Sequence, residues 1–343
     1  FNSSRNLRPF VSIIILEPYH LNKKFISCIK SYSSQEYQNY EIVLVLWRRK
    51  FDPDIKDLFL KNKISLKQIN FVNIQGNPGY AKGNNVGVKN AKAEYVLISN
   101  PDVNVQSKFL TQLVGSYFFL QNYVKSDKII VGPRICNNDG IIEYSRRKIN
   151  FLGFSNIDIS KTEKIRRTMI SSGCSFYIKK KYYEELNGFD ERYFMYKDDI
   201  DFSIRASKLG IKQYVDNSIH LYHLRSDNDY KLNNFKYYFH ERNRLILSIE
   251  HSTKKKKMIF INLLYEPLHI IFALSNGFFK TRIKIYKYLI QNFHSIIGSK
   301  FKENRYFDQY YKMDGIFNEV NTNTLSFRFL NYFTKILFYF YHH

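Results

Sequence analysis

The chain has 343 residues, enough for one large core and a smaller second unit, and its 44% hydrophobic and 24% charged content is that of a globular protein. Its 53 Lys and Arg against 30 Asp and Glu leave a net charge of +23, a field that draws in anionic lipid, diphosphate substrates or nucleic acid. Three scattered cysteines (Cys28, Cys136, Cys174) exclude a disulfide framework or a cysteine-based zinc site and point to a reducing setting, and residues 1–10 lack the apolar run of a signal peptide.

Residues 11–16, VSIIIL, are continuously apolar and β-branched, which predicts a strand buried on both faces. A helix is expected over 22–34 and a second buried strand over 41–47. Asp52-Pro53 supplies an N-cap and a first helical residue for the next helix. A strand over 69–74, a Gly-rich turn with a short helix, and a strand over 94–99 follow. Strands alternating with helices imply right-handed βαβ units and a parallel sheet.

Further along, a helix over 107–124, a strand over 128–134, a polar excursion over 136–170 and a strand over 172–179 are expected. The helix that begins near Asp198 closes at Gly210, a left-handed C-cap. Strands at 211–215 and 219–223 complete the sheet. From Asp227 onward, apolar and aromatic residues recur at helical spacing among basic ones, which divides the chain into 1–226 and 227–343. The run 258–279 is long enough to span a membrane, but Glu266, Pro267 and His269 interrupt its middle and argue against an isolated span.

Open parallel sheets bind ligands at the carboxyl ends of their strands, and three polar segments fall there. The first, Asn77 to Gly87, has glycines at 79, 83 and 87 and opens a helix. Its glycines serve either close backbone approach to an anion or tight packing on the sheet. The second is Asn100-Pro101-Asp102, where Asp102 is either an oxygen ligand for a hard cation or a cap of the following helix. The third is Asp198-Asp199-Ile200-Asp201: three carboxylates in four residues need a cation, a helix N-terminus or a raised pKa. With Asp198 as N-cap and Asp201 in the first turn, Asp199 remains as the candidate general base. His223 ends the last strand and is, alone, a weak metal candidate.

Together these segments resemble family 2 of the inverting glycosyltransferases, and most of all its rhamnosyltransferase-like bacterial branch. The resemblance rests on VSIIIL, EIVLV, NPGYAKGNNVG, ISNPDV, the block from Gly173 to Gly210, and HLYH with the Arg242-Asn243 pair. It implies an α/β GT-A fold, a mostly parallel sheet flanked by helices, followed here by a helical, aromatic-rich basic extension. It also implies a nucleotide-sugar donor with Mg²⁺ or Mn²⁺ on its diphosphate. By position, Asp102 and His223 match the metal-binding residues, Asp199 the catalytic base, Asp198 its usual Glu neighbour, and Asn100 the first residue of the metal motif. Asn77, Gly79, Lys82, Gly83, Asn84 and Asn85 match the loop and helix beside the nucleotide, and Gly173 opens the block that carries the base. Pro18-Tyr19-His20 replaces the usual Thr-Tyr-Asn. Leu46 replaces the base-reading Asp, so the base stacks on Trp47 or donor binding is lost.

The function expected is therefore metal-assisted transfer of a sugar to a hydroxyl of a lipid-linked or cell-surface glycan, on the inner face of the plasma membrane. The alternative is a non-catalytic module that serves as scaffold. The basic tail, with Lys254 to Lys257, is expected either to lie on anionic lipid or to pack as a solvated helical subdomain. No nucleic-acid-binding motif is present, and no such partner is expected.

Overall fold

A computed structural model describes residues 8–18, 21–47, 53–158, 163–226, 231–298, 336–337 and 339–340. The chain divides into two compact units, Phe1–Arg146 with Ile159–Asp229, and Arg147–Asp158 with Tyr230–His343.

The first unit is built on a ten-stranded sheet. In chain order its elements are β1 (Val11–Leu16), α1 (Lys23–Ser33), β2 (Tyr40–Leu46), α2 (Pro53–Lys61), β3 (Ile69–Asn73), α3 (Gly79–Lys89), β4 (Tyr95–Ser99), β5 (Val103–Val105) and α4 (Phe109–Val124). The sheet continues with β6 (Ile129–Cys136) and β7 (Ile142–Tyr144). The hairpin β8 (Arg146–Ile149) and β9 (Ser155–Asp158), which from Arg147 onward falls in the second unit, forms a separate two-stranded sheet. Then come β10 (Ile165–Thr168), β11 (Ser175–Lys179), α5 (Lys180–Glu185), α6 (Asp198–Lys208) and β12 (Lys212–His223). The order across the sheet is β10-β12-β6-β11-β4-β1-β2-β3, with β5 added to β12 and β7 to β6.

The sheet is mostly parallel, as the alternation predicts: β3, β2, β1 and β4 run together, and β12 runs with β6. β11 runs against both β4 and β6. The period of two sorts the core. Ile13, Ile42, Leu44 and Leu97 face Phe25, Ile29, Phe59 and Tyr117, while Ile14, Val43, Val96 and Ile98 face Ala81, Val88 and Phe202. Gly83 and Gly87 let α3 close on that second face. A Cβ at Gly87 would lie 2.3 Å from Ile14 Cγ2, and one at Gly83 2.7 Å from Leu16 Cδ1.

The Asp52 cap lies outside the described residues, and two local expectations change. Lys212–His223 forms one strand rather than the two expected over 211–223, bent where the register with β6 shifts between Asp216 and His220. The excursion over 136–170 contains strands β7 to β10.

The second unit packs α7 (Asn234–Glu250), α8 (Lys255–Ser275), α9 (Phe279–Gln291) and α10 (Phe293–Gly298) around Tyr237, Leu245, Ala273, Phe278 and Ile285. A buried ionic cluster ties these helices together. Arg282 donates to Glu266 (Nε to Oε1, 2.7 Å) and pairs with Glu241 (2.9 Å), and Arg244 reaches Glu241 (3.1 Å). His269 contacts Glu241 through Nδ1 (3.3 Å) and accepts from Arg244 at Nε2 (3.1 Å). Glu266 and His269, which break the apolar run in the sequence, are thus paired on one face of α8. The Arg242-Asn243 pair is buried on α7, with Arg242 stacked over Tyr288 and Phe239.

Candidate active site

The polar segments collect where β1, β2, β4 and β12 end and where β11, running the other way, begins. Pairing of Ser99 with Ser175 sets Asn100 beside the start of β11, and Asn100 N–H donates to Cys174 O at 2.9 Å. This joins the Asn100–Asp102 turn to Gly173.

At the far end of β12, His223 is 2% exposed. Its Nε2 lies 3.2 Å from Asp102 Oδ1 and 3.5 Å from Asn100 Nδ2, and its Nδ1 lies 3.3 Å from Glu143 Oε2. Burial opposes protonation of the ring, but Cys174 and the bonds to Asp102 and Glu143 outweigh it, and the His223 pKa is pushed up to about 12. Burial opposes ionisation of Asp102 as well, and the bond and charge of His223 prevail, holding its carboxyl below the usual range. Asp102 does not cap α4, whose N-cap is Lys108. The sequence-predicted pair Asp102 and His223 therefore meets, with Glu143 as an unforeseen third member.

With the Nε2 proton displaced, the pair would offer a divalent cation one carboxylate oxygen and one imidazole nitrogen, both accepted by Mn²⁺. Among the described residues no three His, Cys, Asp or Glu side chains are arranged to close around an ion. The protein thus supplies a half-site, which the oxygens of a bound diphosphate and water would complete.

Asp199 forms the second centre. The N–H of Gly173 donates to its Oδ2 at 3.0 Å, and the hydroxyl of Tyr80 donates to Gly173 O. A Cβ on Gly173 would sit 3.1 Å from Asp199 Cβ and 3.3 Å from the Tyr80 hydroxyl, so a side chain there would press Asp199 or Tyr80 aside by a few tenths of an ångström. Asp198 is not the N-cap. Lys197 takes that position at φ 62° with no side-chain cap bond, and Asp198 is the first residue of α6. Desolvation, then the charge of Asp199, pushes the Asp198 carboxyl well above its ordinary range. Among the described residues its Oδ2 finds no hydrogen-bond partner. Asp201 is a structural residue, fully buried and bonded to Arg205 at 2.8 Å.

The backbone before α6 is strained. Phe194, Tyr196 and Lys197 all have positive φ (64°, 64° and 62°) without being glycine. Phe194 packs on Gly79, whose own φ of +66° and 2.5 Å clearance to Phe194 exclude any side chain. The N-terminus of α3 is largely satisfied from within: Gly79 N–H donates to Asn77 Oδ1 at 2.9 Å and Ala81 N–H to Phe194 O at 3.1 Å. Asn84 is buried and donates to Tyr80 O, and Asn85 clamps Phe189 through both its N–H and its C=O. Lys82 is exposed on α3. The glycines of this segment pack on β1 and Phe194, and the segment holds Phe194 and the approach to α6.

At the end of β2, Leu46 is fully buried and Trp47 is half-buried. The indole Nε1–H donates to Glu17 O at 2.8 Å and the Trp47 backbone N–H to Glu17 Oε2 at 3.0 Å. Tyr19, His20, Arg48 and Arg49 lie outside the described residues. Sequence reasoning missed Glu143 and Glu17. Glu17 carries one signal, a carboxylate directly after a buried strand, whereas Glu143 carries none.

No protein-family model matches the chain. In sequence it is similar to the low-salt glycan biosynthesis hexosyltransferase Agl10 of Haloferax volcanii, 26% identical over 161 residues. That match covers 44% of this chain and 50% of the relative, so the chain spans half of that protein's length. It is also similar to the rhamnosyltransferase WbbL of Escherichia coli K12, 24% identical over 235 residues, covering 62% of this chain and 83% of the relative. Among solved structures it is similar to GalNAc-T7, crystallised with UDP, GalNAc and Mn²⁺, with a TM-score of 0.58 and 14% identity. That likeness covers 84% of this chain and 57% of the other, and it is one of fold. In sequence the chain is thus similar to a hexosyltransferase and a rhamnosyltransferase, and in fold it is similar to the mixed α/β structure of GalNAc-T7.

Proposed function

We propose that this chain is a family 2-like glycosyltransferase that moves a sugar from a nucleoside-diphosphate donor to a hydroxyl of a lipid-linked or cell-surface glycan, with inversion. One observation carries the reading: Asp199, oriented by the Gly173 N–H, stands at the same sheet edge as the Asp102–His223 pair. Asp199 takes the proton from the acceptor hydroxyl as that oxygen bonds to the anomeric carbon and the bond to the diphosphate oxygen breaks. A single displacement inverts the centre. Asp102 and His223 would hold Mg²⁺ or Mn²⁺, which supplies positive charge to the departing diphosphate. Leu46 offers no acceptor to a nucleobase, and the anchored indole of Trp47 offers a stacking face instead.

Residues 227–343 serve as a platform on anionic membrane at the cytoplasmic face. Among the described residues α8 is the one helix long and apolar enough to cross a membrane. Its paired Glu266 and His269 favour an interfacial position, and Phe260, Leu263, Leu264, Ile271 and Leu274 lie exposed at helical spacing. On α9, exposed Lys280, Lys284 and Lys287 flank exposed Phe279, Ile283 and Ile290. Flotation with vesicles containing anionic lipid, lost on Leu263→Glu with Ile271→Glu at unchanged melting temperature, supports the platform. Equal flotation of both proteins removes it.

Melting curves against a panel of nucleotide sugars, with and without Mn²⁺, test the transferase reading, because a ligand of the native state raises the melting point. A Mn²⁺-dependent rise with one nucleotide class supports it. No rise with any donor favours a non-catalytic module, the reading that the buried Leu46 supports.

A further inference from the structure

His223 is reached from three strands, and one of them reaches it through an irregularity. β12 pairs with β5 at His223 and Val103, and with β6 at Tyr222 and Cys136. β6 pairs in turn with β7, but the register skips. Ile135 faces Tyr144 and Cys136 faces Ile142, so Glu143 is the extra residue of a bulge. A bulge bends its strand and redirects a side chain that regular pleating would send elsewhere. The Glu143 carboxylate ends 3.3 Å from His223 Nδ1, with 16% of its side chain exposed.

An imidazole has two ring nitrogens, and the partner of one decides what the other offers. A carboxylate on the far nitrogen fixes the ring plane, keeps the proton on that nitrogen and strengthens the near one as a ligand. Here the near nitrogen, Nε2, is the one beside Asp102, at 3.2 Å. Ion pairing alone would not require the bulge, since Asp102 already provides His223 with a carboxylate.

We propose that Glu143 is a positioning residue that holds the Nδ1–H of His223 and thereby directs Nε2, with Asp102, at the divalent cation of the donor complex. This rests on the reading of Asp102 and His223 as the cation's protein ligands. Its own part concerns Glu143 and can be followed without any metal.

The test uses the full chain, Glu143→Ala and Glu143→Gln, whose amide oxygen still accepts from Nδ1–H. In metal-free, ¹⁵N-labelled protein the exchange-protected Nδ1–H resonance of His223 is expected in wild type and Glu143→Gln and lost in Glu143→Ala. Mn²⁺ is then titrated in the presence of UDP, with free Mn²⁺ read by electron paramagnetic resonance. Affinity is expected to fall about 10- to 100-fold in Glu143→Ala and to recover largely in Glu143→Gln. A protected Nδ1–H together with wild-type Mn²⁺ affinity in Glu143→Ala overturns the role of Glu143 while leaving the metal reading intact. Wild-type protein that binds no Mn²⁺ overturns both.

Discussion

In the helical unit, Glu241 and Glu266 are shielded among Arg244, Arg282 and His269, and each carboxylate meets a guanidinium at hydrogen-bond distance. In the sheet unit, Asp198 is buried at the start of α6, and no ion pair reaches it among the described residues. Three residues on, Asp201 is equally buried but answered by Arg205. Removing a carboxylate from water is tolerated when a cation and hydrogen bonds replace the water. The helical cluster and Asp201 meet that condition from within the chain, so they hold structure together. Asp198 does not, and its carboxyl is instead pushed toward the neutral form. The contrast separates carboxylates held charged by internal cations from one that burial keeps neutral.

The largest expected effect is on turnover. Asp199→Asn should lower transfer about 10²- to 10⁴-fold with the melting temperature retained, measured by product formation from the donor identified in the melting panel. Loss of fold instead would move Asp199 to the structural class. Next comes Arg282→Ala, which strands Glu266, leaves Glu241 with Arg244 and His269, and should destabilise the protein by roughly 3–5 kcal/mol in urea unfolding. Gly79→Ala forces a side chain onto Phe194 at positive φ and should cost roughly 1–3 kcal/mol, together with activity.

The helical cluster and Asp198 should also respond to pH with opposite signs. Burial, then Arg244, pushes His269 down to about 3, so between that value and its unfolded 6.5 the unfolded chain binds the extra proton. Stability therefore falls as pH drops through that window, by about 1.4 kcal/mol per pH unit for one proton. Glu241 is held low by Arg244, His269 and Arg282 against its burial, and its contribution is likewise lost as pH falls below the unfolded 4.5. Asp198 is raised, so its contribution is present below the unfolded 3.8 and lost as pH rises above it. Asp198→Asn should accordingly keep or raise stability at neutral pH, by at most about 1 kcal/mol, the smallest effect of the series. A marked loss would show that its charge is paired after all.

Much of this was legible in the sequence because the relevant signals are local. Unbroken runs such as VSIIIL become strands buried on both faces, and Gly210 closes α6 at φ +77°. Asp102 and His223 were each placed by strand ends, and the structure joins them. Signals that depend on pairing were not legible. Asp198 has the composition of an N-cap, yet the strained turn through Phe194 hands that position to Lys197. Glu143 lies in a polar stretch without periodicity, and only the register shift against β6 aims it at His223. The arginines that answer Glu266 and His269 come from other helices, so the interruption of the apolar run was visible and its cause was not.

The chain has a single tryptophan, Trp47, anchored on Glu17 at the end of β2, so its emission reports on the donor side of the sheet without any label. Titrating UDP, dTDP and GDP into wild type and Asp102→Asn, with and without Mn²⁺, tests most directly whether Asp102 belongs to a cation-dependent donor site. The expected result is a saturable change with one nucleotide that needs Mn²⁺ and weakens strongly in Asp102→Asn. Emission indifferent to every nucleotide, or a response equal in both proteins and with or without Mn²⁺, would contradict it.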